Sequence, residues 1–251
     1  MRTGPKLSVC MAAYQGESYI GLQLRSILPQ LSDQDEIIVV DDASTDATCE
    51  AVAALRDPRV VLLRNAENQG VLRTFETALS RCSGEIVFLS DQDDLWLPQK
   101  VETVLEAFDN DPAVMLVTSD AMLIDEGGAA IGDSFYAKRG KFQSGLWSNL
   151  LIGKFHGCTM AFRSILLRTA LPFPPGRLVH HDTWIGCVNA LMGSKTRYIP
   201  KPLVAYRRHS SNVTGRVKLG NYTRFRMRSQ MLFGLLALWG GGRRNKRGLN
   251  Q

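Results

Sequence analysis

Three acidic side chains are crowded into the stretch Ser90–Trp96, which reads SDQDDLW. Asp91, Asp93 and Asp94 follow a short apolar run, and like charges at this spacing repel one another unless an opposite charge lies between them. Carboxylate oxygens are the ligands that Mg²⁺ and Mn²⁺ favour, commonly shared with substrate phosphates. Helix capping is the simpler alternative, but it needs only one carboxylate. The pattern therefore favours a divalent cation held together with a phosphate.

A second acidic pair, Asp41 and Asp42, ends another apolar run and is followed by Ala-Ser-Thr-Asp. Helix capping accounts for Ser44 or Asp46 but leaves a carboxylate at the strand tip unexplained. A phosphoacceptor pocket of the receiver type is a weak alternative. It needs a lysine after a later strand, where this chain has Thr118–Asp120.

Motifs of several other enzyme classes are missing from the sequence. It contains no GxGxxG after the first strand, no GxxxxGK[ST] and no GxSxG, which disfavours dinucleotide oxidoreductases, P-loop nucleotidases and α/β-hydrolases. The five cysteines never form a CxxC pair, which favours a reducing compartment over disulfides or structural zinc. With no secretory signal and no apolar run of about 20 residues, we expect a cytoplasmic protein.

Strand-like and helix-like segments alternate through the first 120 residues. The strand-like runs are continuously apolar, as in strands covered on both faces: Leu7–Tyr14, Glu36–Asp42, Val60–Asn65, Glu85–Asp91 and Ala113–Asp120. Helical spacing is found at Glu17–Gln30, Asp46–Leu55, Val71–Ser80 and Gln99–Phe108. This order predicts an α/β fold with a mostly parallel, Rossmann-like sheet between two helical layers. Ligands of such sheets bind at the carboxyl ends of the strands, where both acidic pairs fall.

The second half of the chain is less regular. A strand is predicted over Gly157–Arg163, a helix over Thr183–Leu191, and short strands over Thr196–Pro200 and Leu203–Arg207. Residues 125–150 are predicted to be a loop and a helix. Lys138, Arg139 and Lys141 within them belong either to a solvated loop or to a loop near an acceptor.

Charge is distributed very unevenly along the chain. Residues 1–182 contain 16 Lys/Arg and 24 Asp/Glu, whereas residues 183–251 contain 14 Lys/Arg and no acid. Such a block favours an anionic partner, although a solvated basic tail is the alternative. The apolar run Met231–Trp239 lies inside this block and is too short to span a bilayer. It is predicted either to lie on an anionic membrane or to pack on the domain or another subunit. None of the usual nucleic-acid-binding motifs is present, so nucleic acid is not an expected partner.

Several ordered motifs together resemble one known family. They are SVCMAAYQGESYI, LRSIL, IIVVDDASTDAT, NQGVLRTFETAL, EIVFLSDQDDLW, HDTW and YRRHSSNVTG. From about Leu7 to Gly215 the chain resembles the inverting family 2 glycosyltransferases of the GT-A fold, most closely bacterial rhamnosyltransferase-like members. The resemblance implies a glycosyltransferase domain over residues 1–215, with a nucleotide-binding half (1–120) and a smaller β/α acceptor-binding half (121–215). Residues 216–251 would be a basic and apolar extension.

The resemblance also implies a nucleotide site. Ala13 and Tyr14 would contact the base, with Glu17 nearby. Asp42 would accept a hydrogen bond from N3–H of the base, with Asp41 beside it. The other implied nucleotide residues are Asn68, Gly70, Asp91 and Gln92. Arg73 would be a weak candidate for a contact with the sugar donor. Many members of the family have an arginine-asparagine pair on this helix, where this chain has Thr74 and Phe75, which puts a contact from the helix to the donor sugar in doubt.

For the metal and diphosphate, the resemblance implies Asp93 as the direct ligand of Mg²⁺ or Mn²⁺ and places Asp91 closer to the ribose. His209 would approach the diphosphate and metal, and either Arg207 or Arg208 would reach the diphosphate. Asp94 is interpreted instead as the cap of the following helix.

Asp182 in HDTW matches the position of the general base, which would take the proton of an acceptor hydroxyl. Capping of the helix beginning at Thr183 is an equally good interpretation from the sequence alone. His181 is interpreted as a neighbour of the acceptor. Trp184 is either a core residue or a platform on which a sugar stacks.

The expected reaction is metal-dependent transfer of a sugar from a nucleotide diphosphate to a saccharide or lipid-linked saccharide, in the synthesis of a cell-surface polysaccharide. The rhamnosyl-like motifs favour dTDP-L-rhamnose as donor, with a UDP-hexose second. The alternatives are a non-catalytic nucleotide- or glycan-binding module and a nucleotidyltransferase. The enzyme would be cytoplasmic, and peripheral on the inner membrane if its C-terminal segment binds lipid.

Overall fold

The computed structural model describes residues 4–136, 142–153, 155–176, 179–210 and 220–247. The predicted basic loop at 138–141 and the last five residues of the YRRHSSNVTG motif lie outside these ranges.

Four parallel strands form the first half of a single nine-stranded sheet, in the order β3-β2-β1-β4. They are β1 (Leu7–Ala13), β2 (Glu36–Asp41), β3 (Val60–Arg64) and β4 (Ile86–Asp91). β1, β2 and β4 are buried along nearly their whole length, because helices cover both faces of a parallel sheet. The predicted strands and their parallel arrangement are confirmed here.

The sheet continues as β4-β8-β6-β9-β5, and β7 pairs with the C-terminal end of β6. These strands are β5 (Leu95–Trp96), β6 (Val114–Ile124), β7 (Ala130–Gly132), β8 (Met160–Arg163) and β9 (Lys195–Arg207). β8 is antiparallel to both β4 and β6 and therefore separates the two parallel groups. The two short strands predicted around Pro200 are one bulged strand, β9, which pairs in parallel with β6.

Eight α-helices connect and cover the strands in the described part of the chain. They are α1 (Ile20–Ile27), α2 (Thr48–Ala53), α3 (Val71–Arg81), α4 (Lys100–Asp109), α5 (Leu146–Ile152), α6 (Leu167–Ala170), α7 (His181–Leu191) and α8 (Asn221–Arg247). α1 and α2 begin later than predicted. The intervening residues form loops at the sheet edge, and Gln15 and Ala43 have positive φ angles.

Two large apolar clusters lie on opposite faces of the sheet. α1 and α4 supply one cluster, and α3, α7 and α8 supply the other. Trp184 belongs to the second cluster: it is 2% exposed, and its indole Nε1 donates to the carbonyl of Ala170 at 2.8 Å. The interpretation of Trp184 as a sugar-stacking platform is therefore wrong, because both its ring and its polar atom are used inside the core.

The C-terminal helix α8 is much longer than the apolar run Met231–Trp239, which lies within it. Met231 and Leu235 are buried against α7 and the neighbouring core. Gly234 lets the helix approach closely, because a Cβ at this position would lie 2.9 Å from the ring of Trp184. Among the described residues, no helix combines the length and apolar content needed to cross a bilayer.

Candidate active site

The register of the parallel strands brings the predicted site residues to one edge of the sheet. Ala13 lies opposite Asp41 on β2, and Ala12 lies opposite Asp91 on β4. Asp41 in turn lies opposite Arg64 on β3. Both acidic pairs therefore meet at the carboxyl edge, where ligands of doubly wound sheets bind.

Gln92 fastens the tip of β4 to the tip of β1. Its amide oxygen accepts a hydrogen bond from the Tyr14 N–H, and its Nε2 donates to the Tyr14 carbonyl, both at 2.9 Å. The side chain of Tyr14 is 47% exposed at the edge of the crevice. The Gln92 amide therefore shapes the turn that presents Tyr14, and its predicted contact with the nucleotide stays a prediction.

The turn after β1 is bonded to the start of α2. Glu17 accepts a hydrogen bond from the Ala47 N–H at 2.9 Å, while its own N–H donates to Asp46. Asp46 also accepts from the N–H of Thr48, the first residue of α2. The N-cap of α2 is Ala47, whose side chain makes no capping hydrogen bond, so the predicted cap at Ser44 or Asp46 is wrong. The bond from Ala47 gives Glu17 a partner in the protein close to the predicted base site.

Asp42 organises the loop that leads into α3. Its Oδ1 accepts from Asn65 Nδ2 at 2.7 Å and from the Gln69 N–H at 2.9 Å, and its Oδ2 accepts from the Gly70 N–H at 2.8 Å. Gly70 has a φ of 84°, which favours glycine. Asn68 donates a long bond of 3.4 Å to the Asp42 carbonyl. The predicted contact of Asp42 with a base stays a prediction. Of the two carboxylate oxygens, Oδ2 accepts one of the three bonds to the side chain and Oδ1 accepts two.

Asp41 is fully buried next to Asp42. It accepts from the Ser44 N–H at 3.0 Å and lies 3.4 Å from Nε of Arg64. This carboxylate therefore secures the β2–α2 turn from below the crevice.

The acidic turn after β4 meets the residues that follow β9. Nε2 of His209 lies 2.8 Å from Oδ2 of Asp93, and its ring lies 5.1 Å from that of Tyr19. Nε of Arg207 donates to the Asp93 carbonyl at 2.8 Å. The structure thus brings together two predicted metal residues from opposite ends of the chain.

Asp94 does not cap the following helix, so that prediction is wrong. Helix α4 begins only at Lys100, after Gln99 in the left-handed region. Asp94 points the other way: it is 1% exposed and its Oδ1 accepts from the Arg207 N–H at 2.9 Å. Burial raises its pKa well above the ordinary value for an aspartate.

A buried polar cluster lies beneath the acidic turn. One carboxylate oxygen each of Asp91 and Asp94 and the Sγ of Cys158 lie within 4.8 Å of one another. Lys100 is 1% exposed and donates to the Cys158 carbonyl at 2.7 Å, and burial lowers its pKa to about 8. Burial and the charges of Asp93 and Asp182 raise the pKa of Asp91 to about 7.

The two arginines at the end of β9 have different surroundings. Arg207 is 3% exposed, and its Nη1 donates to the carbonyls of Asp125 and Glu126 at 3.3 and 2.9 Å. Arg208 is exposed, and its N–H donates to the Ile124 carbonyl at 2.8 Å. The guanidinium of Arg207 therefore supports the acidic turn and the β6–β7 loop, and the predicted contact of Arg207 or Arg208 with a diphosphate stays a prediction.

Arg73, a weak candidate for a donor contact, is used elsewhere. It pairs with Glu76 and donates to the carbonyls of Phe173 and Pro174 at 3.4 and 3.1 Å. It ties α3 to the segment before α7, which argues against a contact with the donor.

Asp182 is the second residue of α7 and accepts hydrogen bonds from the N–H and hydroxyl of Thr183. Burial acts to raise its pKa, but the neighbouring histidines and the Thr183 N–H together bring it below the ordinary value. Its charge acts in turn on Asp91, whose pKa it helps to raise. Beside Asp182, the buried ring of His181 stacks on Phe75 at 4.0 Å.

Residues 8–169, more than half of the chain, match the family model described as "Glycosyl transferase family 2". The chain belongs to this family. The match confirms the predicted class of enzyme, a glycosyltransferase.

Individual relatives agree with this assignment. An uncharacterized glycosyltransferase of Nostoc is 28% identical over 218 residues, which are 82% of this chain and 66% of that protein. A glucosyltransferase of Escherichia coli, WfgD, is 34% identical over 96 residues, or 38% of each chain. The chain therefore spans at most about two thirds of the length of these two relatives.

The fold of this glycosyltransferase is similar to that of a protein of known structure. The crystal structure of S. aureus TarS in complex with UDP-GlcNAc superposes with a TM-score of 0.71 at 18% identity, covering 91% of this chain and 66% of that one. This likeness confirms the predicted GT-A architecture.

The residues at the edge of the glycosyltransferase sheet fit a divalent cation. Asp91 and Asp93 offer carboxylate oxygens, which Mg²⁺ and Mn²⁺ favour, and His209 adds an imidazole nitrogen. Two observations support the fit: the charge of Asp93 helps to raise the pKa of Asp91, and His209 already contacts Asp93. The deeper cluster of Asp91, Asp94 and Cys158 is a poorer fit, because the positive charge of Lys100 acts on both aspartates.

Sequence reasoning missed Lys100, Cys158 and Gln23. Gln23 is fully buried, and its Nε2 donates to Ser90 Oγ and to the Asp91 carbonyl. The signal for Lys100 was its place at the start of a helix whose apolar positions face the core. Cys158 carried no comparable signal, since its role arises only from the antiparallel insertion of β8.

Proposed function

We propose that this glycosyltransferase moves a sugar from a nucleotide diphosphate to a saccharide acceptor, with inversion and with the help of a divalent cation. One observation carries the proposal. His209 contacts Asp93 beside Asp91 at the carboxyl edge of the sheet, and the charge of Asp182, from a third part of the chain, acts on Asp91.

The nucleotide would occupy the crevice between the tips of β1, β2 and β4. Ala13 and Tyr14 form one side, and the loop held by Asp42 forms the other. The hydrogen bonds of Gln92 and Asp42 fix the backbone on both sides before any ligand arrives. Such pre-ordering lowers the entropic cost of binding.

The leaving diphosphate would lie over Asp91, Asp93 and His209. A divalent cation bound there would supply positive charge to neutralise the negative charge that develops on the diphosphate. Arg207 keeps the Asp93 backbone and the β6–β7 loop in place, and Arg208 is exposed beside them.

Asp182 would take the proton of the attacking acceptor hydroxyl. Its pKa lies below the ordinary value, so the group is a carboxylate at neutral pH and can accept a proton. Thr183 holds one of its oxygens through two hydrogen bonds. One base and one displacement lead to inversion without a covalent intermediate.

For the donor we propose dTDP-L-rhamnose first, on the rhamnosyl-like motifs, and a UDP-hexose second. The second option is supported by WfgD, whose name gives UDP-Glc as donor. The name of the same relative gives a GlcNAc-diphosphoundecaprenol acceptor. We accordingly propose a saccharide of a cell-surface polysaccharide as the acceptor.

The decisive experiment combines Asp182→Asn with a panel of nucleotide sugars. Metal-dependent release of nucleoside diphosphate should fall by about 10² to 10⁴ in the variant, while donor affinity stays within a few-fold of wild type. The matched control is Asp109→Asn, at the exposed end of α4. Unchanged turnover by Asp182→Asn would remove the assignment of the base, and pyrophosphate as product would indicate a nucleotidyltransferase. Donor binding by the wild type without turnover, with a competent acceptor, would indicate a binding module.

A further inference from the structure

Helix α8 is apolar on two opposite faces. Its inner face carries Met231 and Leu235, which are 2% and 4% exposed in the core. Its outer face carries five large apolar side chains between 40% and 73% exposed: Tyr222, Phe225, Leu232, Phe233 and Leu236. Their spacing of three, four and seven residues places them on one stripe. A helix that is apolar on its outer side as well has a surface available for a second partner.

The short helix α5 extends this exposed apolar surface. Trp147, Leu151 and Ile152 are 67%, 53% and 65% exposed. α5 and α8 are joined directly, because Nη2 of Arg228 donates to the Leu151 carbonyl at 2.6 Å. We refer to the outer stripe of α8 together with these three α5 residues as the α5–α8 surface.

The charged residues of α8 are all of one sign, since each of them is an arginine or a lysine. The chain after Asp182 contains 14 Lys/Arg and no acid, and Arg224 and Arg226 are exposed next to the apolar stripe. Exposed aromatic and aliphatic side chains beside arginines are typical of helices that lie in the interface of an anionic bilayer. A purely apolar protein partner would not need this charge, and a second copy of the chain would bring the same positive charge against it.

We propose that the α5–α8 surface binds the surface of an anionic phospholipid membrane. The helix would lie in the plane of the interface, with its stripe of Tyr222, Phe225 and Phe233 among the headgroups and upper acyl chains. Its inner face would stay in the protein core, where Met231 and Leu235 already hold it. Binding would therefore need no unfolding of α8.

The placement has a consequence for the acceptor, and this consequence rests on the proposed function. A cavity of about 340 Å³ lies between α5, α7 and α8, lined among others by Ile152, Arg228, His180 and Thr183. Thr183 is the residue that holds Asp182. An acceptor that reaches this cavity from the α5–α8 surface would approach the proposed base directly from the bilayer, which suits a saccharide linked to a lipid through an anionic group.

Vesicle binding tests the membrane proposal without any need for catalysis. The full chain is sedimented with vesicles of phosphatidylcholine alone and of phosphatidylcholine mixed with phosphatidylglycerol. We expect binding to the mixed vesicles, weakened by high salt, and little binding to the neutral ones. The double variant Phe225→Ser/Phe233→Ser should lower the bound fraction by about tenfold or more.

The control is Leu22→Ser/Val61→Ser, which removes two apolar side chains that are 53% and 43% exposed elsewhere, on α1 and β3. It should bind mixed vesicles as the wild type does, and circular dichroism should show that both double variants are folded. Equal binding to both kinds of vesicle, or none, would overturn the proposal. The proposal would also be overturned if light scattering showed that the wild type is a dimer without lipid and that the Phe225→Ser/Phe233→Ser variant is a monomer. Failure of the proposed glycosyl transfer would leave these measurements unaffected.

Discussion

The imidazole of His209 lies 2.8 Å from the carboxylate of Asp93, although 116 positions separate the two residues. Two residues before His209, Arg207 donates to the backbone carbonyl of the same aspartate. Residues at the end of β9 and just after it therefore contact both the side chain and the backbone carbonyl of Asp93 in the acidic turn. This arrangement makes the proposed metal site a joint product of the two halves of the chain.

His209→Ala should weaken binding of Mn²⁺ by about 10- to 100-fold, because it removes a nitrogen donor and the partner of Asp93. Titration of the purified protein with Mn²⁺, followed by calorimetry, measures the effect directly. The exposed His180 provides the matched control, and His180→Ala should leave the affinity unchanged. Equal affinities for both variants would exclude His209 from the metal site.

Arg207→Lys should lower the free energy of unfolding by about 1 to 3 kcal/mol, because a lysine cannot replace the bonds to the carbonyls of Asp93, Asp125 and Glu126 together. Denaturation with urea provides the measurement. Arg208→Lys should be neutral, since the side chain of Arg208 is exposed. A neutral effect of Arg207→Lys would mean that its guanidinium does not support the acidic turn.

The buried ring of His181 should make the protein sensitive to acid. Burial lowers its pKa to about 4 in the folded state, so between its ordinary pKa of about 6.5 and pH 4 the unfolded chain binds the extra proton. The stability contributed by neutral His181 is present above this window and is lost as the pH falls through it. The loss should amount to about 3 kcal/mol at most.

Comparison with His181→Phe isolates this contribution. The raised pKa of Asp91 acts in the opposite direction within the same window, so the difference between wild type and variant is the relevant quantity. Urea denaturation at pH 7 and pH 4.5 should show a smaller decrease in stability for the variant, whose ring can still stack on Phe75. Parallel decreases in the two proteins would contradict the assignment.

Gly186→Ala should destabilise the protein by about 1 to 3 kcal/mol. A Cβ at this position of α7 would lie 2.1 Å from the ring of Phe155, so the helix or the ring must move. Gly21→Ala is the control. It lies in α1 with nothing within 4 Å of the added Cβ, and it should stabilise the protein by up to about 1 kcal/mol. Thermal unfolding of the two variants measures both signs, and a neutral Gly186→Ala would show that Phe155 can yield.

The sequence predicted the parts of the fold that depend on local pattern. β1, β2 and β4 are continuous apolar runs, and the acidic pairs mark their carboxyl ends, so both the sheet and its ligand-binding edge could be predicted. The strand within Gly157–Arg163 was predicted too, but its insertion between β4 and β6 was not. Pairing between strands so distant in sequence leaves no local pattern.

The site was harder to predict because one residue type serves several purposes. Asp94 resembles a helix cap in the sequence, but strand β5 separates it from α4, and its carboxylate bonds the backbone of Arg207 instead. Gln92 and Arg207 have side chains suited to ligands, yet both satisfy backbone groups of the protein. Which partner a polar side chain chooses depends on tertiary geometry.

Because of the bulge in β9, the position of Arg207 and His209 at the acidic turn depends on the number of residues between Lys195 and His209. Ser119 pairs with Ile199 but the next residue, Asp120, pairs with Pro202, so Pro200 and Lys201 have no counterparts on β6. Since side chains alternate across a strand, deleting one residue here would turn every later side chain to the opposite face. The guanidinium of Arg207 would then leave the acidic turn. We expect insertions and deletions among related proteins to be rare in this segment and to occur mainly in loops, where a change in length does not shift the pairing of strands.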